Sequence, residues 1–542
     1  DRGRVRCPGP RCGGVRVAGG SVDRVSCCGG RRFTSEPHHD QGRSTRVDPG
    51  FGWDRPSGRA VRFTLGCGTD FRVSDPLRAA AHAHPDAPAL DDGRRVWTYA
   101  ELDAAVGRMA RRLAPLGAGP GSTVALVAHP SPLSVQAVWA VPRTGSVLAP
   151  LNPRLGAATM ERALEAIGPD LILSTEHDVS DMALEADWIT TLDDLPRPAG
   201  GEGGADATPE PESRPFALLW TSGTSGDPSA VPILASALEA SARACVGRLG
   251  LTGEDRWYAS LSLGHVGGLA LVHRAAYAGC LLLVRGQFSA EVLAELIERD
   301  GLTHTSLVPT MLARLLDSRK GESVPSTLRC LLIGGAATDG ALVTRVVEKG
   351  YPVALTYGLT EACSQVATAP PDLVAEKSGT SGLPIDGLEL RIQKDGEIYV
   401  RGDTVSPGVA DEEGWLATGD LGRLDGDGHL WITGRISDRI VTGGATVHPR
   451  SVEVVLEALP GVSAAAVVGI PDDVWGEAVV ALIVLDPAGE VDPKALMAQA
   501  RERLSASELP RRIELADSLP LTANGKTDRD SVRALFLGLS HA

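Results

Sequence analysis

One stretch limits the choice of fold more than any other: "LLWTSGTSGDPSAV" at residues 218–231. Apolar residues ending at Trp220 enter it as a buried strand would, and Thr221, Ser222, Gly223, Thr224, Ser225 and Gly226 follow without one bulky side chain. Such a loop offers hydroxyls and unhindered backbone N–H groups, and its glycines permit the positive φ angles that let successive N–H groups converge on one anion. It is suited to hold phosphate. A Walker-type loop would need Lys-Ser/Thr after the last glycine, and none is present.

The surrounding chain supplies an α/β frame. In "WTYAELDAAVGRMARRLAPLG" the spacing of Leu102, Val106, Met109 and Leu113 predicts one helical face, ended by Gly117. Strands are predicted at 122–128, 170–174 and 280–284, and Ser289 caps a helix burying Val292, Leu293, Leu296 and Ile297. Alternating helix and strand implies βαβ units and a parallel sheet. "LRCLLIGGAA" at 328–337 reads as a strand and glycine turn, where a sheet's carboxyl edge admits a nucleotide. After about residue 385, "GEIYVRG" and "HLWITGR" suit antiparallel hairpins. A further compact unit follows, with strands "AAAVVGI" and "AVVALIVL" and a helix opened by Asp492 and Pro493.

At 542 residues and 43% hydrophobic composition the chain has material for two or more domains. Residues 1–72 are rich in Arg, Gly and Cys without periodicity, and read as disordered or as translated upstream sequence. Cys7, Cys12, Cys27, Cys28 and Cys67 lack a convincing zinc-ligand spacing. Residues 196–215, rich in Pro, Gly and Glu, read as a flexible surface connection. The net charge of -15 argues against nonspecific nucleic-acid binding. No run reaches the roughly 18 apolar residues of a membrane helix, so no membrane insertion is expected. Scattered Cys245, Cys280, Cys330 and Cys363 suggest a reducing compartment, and the cytoplasm fits best.

Four more strings follow the phosphate loop in order: "TYGLTE" at 356–361, "WLATGD" at 415–420, "GRISDRIVTGG" at 434–444 and "TANGK" at 522–526. With the loop, they resemble the adenylate-forming superfamily of acyl-CoA ligases, amino-acid adenylation domains and luciferases, over roughly residues 73 to 533. The resemblance implies a large AMP-binding domain at 73–435, made of parallel and mixed sheets with helices plus a small antiparallel β-subdomain. It also implies a small mobile α+β domain at 436–533, a tail at 534–542, and ATP, Mg²⁺ and coenzyme A as co-substrates and cofactor.

Roles follow residue by residue from the same resemblance. Glu361 and Thr224 are implied as Mg²⁺ ligands, and Tyr357 as the ring on adenine beside the turn Gly335, Ala336 and Ala337. Gly358 and Thr360 share the nucleotide-binding motif. Asp420 and Arg435 are implied for the ribose, Ser437 for a hinge, Lys526 for adenylation, and Gly443 and Gly444 for the pantetheine channel. Where the superfamily loop usually reads P-K-G, this chain has Pro228-Ser229-Ala230, which removes a charge near the leaving pyrophosphate.

Three further strings, "SLGHVGGLALVHRAAYAG" at 262–279, "THTSLVPTMLARLL" at 303–316 and "YGLTEACSQVAT" at 357–368, resemble o-succinylbenzoate:CoA ligases of menaquinone biosynthesis. His265, Gly267 and Gly268 are then expected to form wall and gate, and Arg274, Ser364 and Gln365 to meet the acid and its second carboxylate. Another acyl- or aryl-CoA ligase, an amino-acid adenylation module and a nonenzymatic homologue are the alternatives. Small molecules are the expected partners, with a homo-oligomer left open.

Overall fold

The computed structural model describes residues 75–175, 189–193, 195, 214–221, 229–336, 340–486, 492–522 and 525–538. Expectations for Ser222, Gly223, Thr224, Ser225, Gly226 and Ala337, for residues 1–72 and for most of the 196–215 connection lie outside them.

Among the described residues a nine-stranded sheet has a parallel centre of six consecutive strands: Val353–Leu359, Cys330–Ile333, His304–Leu307, Arg256–Tyr258, Leu281–Leu283 and Pro88–Asp91. Antiparallel Ser364–Ala369 and Leu383–Pro384 extend one edge, while antiparallel Val96–Thr98 extends the other. A six-stranded sheet runs Ile189–Thr191, Leu171–Ser174, Thr123–Val127, Val147–Leu151, Ala217–Thr221 and Ser229–Ile233, all parallel except the last pair. A four-stranded antiparallel sheet follows over Leu388–Arg435. Last comes a five-stranded sheet built on the hairpin Val462–Asp472 and Gly476–Leu485, packed against the helix Pro449–Glu457. This is the expected α/β architecture.

Local chemistry explains why the helices begin where they do. Thr98 and Glu101 form a reciprocal capping box at the start of Tyr99–Leu113, whose Leu102, Val106, Met109 and Leu113 are all buried. Each such side chain contributes about 1.5–3 kcal/mol by leaving water. Gly117, at φ +97°, closes the 3-10 turn that follows. Ser289 caps Ala290–Arg299 as expected, but Ala290 takes a place in the core and Val292 is only half-buried. The apolar stripe is therefore turned slightly from the predicted one. Asp492 accepts from the Lys494 N–H at the start of Pro493–Arg501.

Cys245, Cys280, Cys330 and Cys363 are buried free thiols. Among the described residues no helix is long and apolar enough to cross a membrane.

Candidate active site

Parallel strands present their carboxyl ends to a common edge, and a cleft opens there. Ser306 and Val308 reach it from one strand end, Gly334 and Gly335 from the next, and Thr356 and Gly358 from the third. The six-stranded sheet contributes Thr221 and Arg154, and the C-terminal unit contributes Lys526. The cleft is a cavity of about 190 Å³ that opens to solvent.

The residues expected to act together converge there. Thr221, His265, Gly267, Arg274, Gly335, Gly358, Thr360, Glu361, Ser364, Gln365, Arg435 and Lys526 all line this cleft, although they span more than half of the chain. Ala336 sits in the Gly335 turn without lining the cleft. Ser437 lies exposed in a 3-10 turn, and Gly443 and Gly444 form a hairpin tip; none of the three lines the cleft.

Tyr357 and Asp420 lie just behind the lining. The Tyr357 hydroxyl donates to one Asp420 oxygen at 2.9 Å, and Arg435 Nε donates to the other at 2.6 Å. Burial first, and the Asp420 charge second, push the Tyr357 pKa well up, so the phenol remains a donor. Burial alone would lower the Arg435 pKa, but the hydrogen bond and charge of Asp420 outweigh it and raise the value. A carboxylate oxygen has more than one lone pair, so Asp420 keeps capacity for further donors.

His265 forms the start of the helix Val266–Ala278: its Nδ1 accepts from the Gly267 N–H at 3.1 Å. That bond assigns the ring proton to Nε2. Packing about the ring, then the Lys526 charge, lower the His265 pKa to about 4, so it is neutral near pH 7. Gly268 departs from expectation. It lines no part of the cleft, and a Cβ there would stand 2.1 Å from the Ser262 carbonyl oxygen. Its lack of a side chain lets the helix close on its own entry loop.

One helical turn and a half further on, Arg274 is 1% exposed and donates through Nη2 to Ser364 Oγ at 2.8 Å. Ser364 is held for this by an uncommon backbone: Cys363 has φ 52° and Ser364 φ 93°, both left-handed without being glycine. Such positions cost about 1–3 kcal/mol each and persist only where surrounding contacts enforce them. Gln365 Nε2 donates to Thr368 Oγ1 at 2.8 Å. Arg274 Nε, Ser306 Oγ and Gln365 Oε1 are buried without a hydrogen-bond partner among the described residues. Three unmet polar atoms beside one cleft fit a polar ligand.

Glu361 follows Thr360 in a 3-10 turn, half-buried, and makes no ion pair among the described residues. A hard cation with oxygen ligands therefore fits its free carboxylate. Lys526 stays accessible at the rim, yet the protein around its ammonium, and then Arg435, lower its pKa against the opposing pull of Asp420 and Glu361. Its turn docks through Gly525, whose carbonyl accepts from Thr310 Oγ1 at 3.3 Å. A second group suited to metal, Asp425, Asp427 and His429, occupies a hairpin away from the cleft, and Lys377 ion-pairs with both aspartates there.

Arg154, Ser306 and Thr356 line the cleft without having been singled out in the sequence. Ser306 sits near its strand's carboxyl end and Arg154 just after one, and that position was the available signal, while Thr356 lies midway along Val353–Leu359.

Comparison with known proteins agrees with this geometry. Residues 77–409 match the model of the AMP-binding enzyme family, and residues 451–526 that of the AMP-binding enzyme C-terminal domain. The 2-succinylbenzoate–CoA ligase of Bacillus pumilus (strain SAFR-032) is 32% identical over 473 residues, covering 84% of this chain and 96% of that protein. The o-succinylbenzoate CoA synthetase of Bacillus subtilis, solved with its acyl-adenylate intermediate, superposes with a TM-score of 0.76 at 32% identity, covering 85% and 98%. The same synthetase with ATP and magnesium ion gives 0.74 at 31% identity, covering 84% and 98%.

Proposed function

The chain belongs to the AMP-binding enzyme family, and from this premise we propose that it activates o-succinylbenzoate with ATP and transfers the acyl group to coenzyme A. The single observation that carries the choice of acid is Arg274. A guanidinium fixed to Ser364 beside a cleft with unmet polar atoms suits an acid with a second carboxylate.

In the first half-reaction a carboxylate oxygen attacks the α-phosphorus, and the bond to the bridging oxygen breaks to release pyrophosphate. Lys526 follows the charge that grows on the α-phosphoryl and acyl oxygens, stabilising the transition state without giving up its proton. Asp420 accepts from the ribose hydroxyls, while Tyr357 and Arg435 fix that carboxylate. Neutral His265 forms part of the wall with Gly267 and adds no charge to the acid's surroundings. Glu361 would hold magnesium, which when bound offsets negative charge on the phosphates. In the second half-reaction the thiol of coenzyme A adds to the acyl carbonyl and AMP departs. Residues 436–533 are proposed to turn about Ser437 for this step and bring Gly443 and Gly444 to the pantetheine.

The test is mass analysis of products after incubating the full chain with Mg·ATP, coenzyme A and, separately, o-succinylbenzoate, benzoate and a medium-chain fatty acid. A thioester from o-succinylbenzoate is expected, and Lys526→Ala should slow its formation on the order of 10²- to 10³-fold. Thioesters from the other acids with none from o-succinylbenzoate would sink the assignment.

A further inference from the structure

Arg154 stands three residues beyond the strand Val147–Leu151, whose parallel neighbour is Ala217–Thr221. That neighbour runs directly into the phosphate-loop sequence, so Arg154 and the start of the loop share one sheet edge, and Arg154 and Thr221 both line the cleft. The turn carrying Arg154 is fixed in two ways. Asn152 Oδ1 accepts from the Arg154 N–H at 3.1 Å, and Gly264 lies so near that a Cβ would be 2.4 Å from the Asn152 nitrogen. The turn is thus wedged between its strand and the loop of His265.

Its charge has no partner among the described residues. Arg154 is exposed at the cleft, and its guanidinium meets no carboxylate among the described residues. The other cations there are engaged: Arg435 by Asp420, Arg274 by Ser364, and Lys526 by the fields of Asp420 and Glu361. Across from Thr221, the far end of the loop begins at Ser229, whose Oγ is 3.5 Å from Thr221 Oγ1. The position that carries lysine in the resembled pattern therefore carries a hydroxyl, and an arginine stands on the next-but-one strand end.

We propose that Arg154 binds the β- and γ-phosphates of the nucleotide, supplying the charge that Ser229 does not, and holds the pyrophosphate as it leaves. When the bond from the α-phosphorus breaks, its electron pair passes to the bridging oxygen. A guanidinium offers that product a planar fork of donors and exchanges no proton with it. The proposal rests on the reading of the cleft as an adenylating site.

Calorimetric titration of the full chain with Mg·ATP and, separately, AMP tests it for the natural chain, Arg154→Gln, Ser229→Lys and the double variant. Arg154→Gln should weaken Mg·ATP by roughly 10- to 100-fold and AMP by less than about twofold, and adding Ser229→Lys should recover most of the loss. Unchanged Mg·ATP affinity, equal weakening of both nucleotides, or no recovery in the double variant would each overturn it. So would an increased KM for the acid with nucleotide affinity intact. A natural chain that binds Mg·ATP but forms no thioester from o-succinylbenzoate would remove the substrate assignment and leave this outcome readable; one that binds no Mg·ATP would remove both.

Discussion

Arg274 and Arg154 face the same cleft from opposite circumstances, one 1% exposed and bonded to Ser364, the other exposed with no carboxylate in reach among the described residues. A charge-assisted hydrogen bond contributes about 1.5–3 kcal/mol, so Arg274→Gln should raise KM for o-succinylbenzoate roughly 10- to 100-fold. Steady-state kinetics with benzoate as comparison, which lacks the second carboxylate, should show no such change. At this scale the sequence was legible where a residue belonged to a string: Glu361, Arg435 and Lys526 all came to the cleft. It was less legible for Gly268, since a glycine in a helix's first turn reads equally well as a ligand wall or as a packing gap. Only the 2.1 Å approach to the Ser262 carbonyl separates the two. Arg154 belongs to no string, and its importance comes from which strand ends lie side by side.

The helix Val266–Ala278 shows how one element serves two faces. Successive residues are about 100° apart around a helix, so Arg274 lines the cleft while His273 packs between Trp139 and Phe216, with ring centroids 4.4 and 4.7 Å away. This stretch was legible through its resemblance alone, and nothing in it signalled that a histidine would be enclosed by aromatic rings. Burial lowers the His273 pKa to about 4, even though the Leu269 carbonyl accepting from Nδ1 opposes it. Between that value and the ordinary 6.5 an unfolded chain takes up a proton that the folded chain refuses, so stability rises with pH across this window and falls on acidification. The contribution is about 2 kcal/mol between pH 7 and pH 5. Urea unfolding at both values should show His273→Gln losing about that much of the acid sensitivity, with its Nε2–H still able to reach the Leu269 carbonyl.

Across the whole molecule, the lysine proposed for the first half-reaction and the hairpin proposed for the second belong to the same C-terminal stretch. Lys526 lines the cleft, whereas Gly444 does not, has φ +80° and meets nothing within 4 Å. A leucine at 444 would cost about 1–2 kcal/mol of backbone strain, and its Cβ would meet nothing within 4 Å in the conformation seen here. Gly444→Leu is therefore expected to preserve ATP–pyrophosphate exchange within about twofold while slowing thioester formation roughly 10²-fold. Equal losses in both assays would count against the channel. The order of the sheets was legible from alternating segments, but which face of the last unit meets the cleft was not, because that depends on contacts such as Thr310 with Gly525 that carry no periodic signal. The left-handed pair Cys363 and Ser364 has a consequence for anyone redesigning this chain. A glycine at either position would relax the backbone, and a sequence optimiser scoring fold stability alone would favour it. At 364 that gain would remove the hydroxyl that anchors Arg274, so thermostability and substrate selectivity are in conflict at that position.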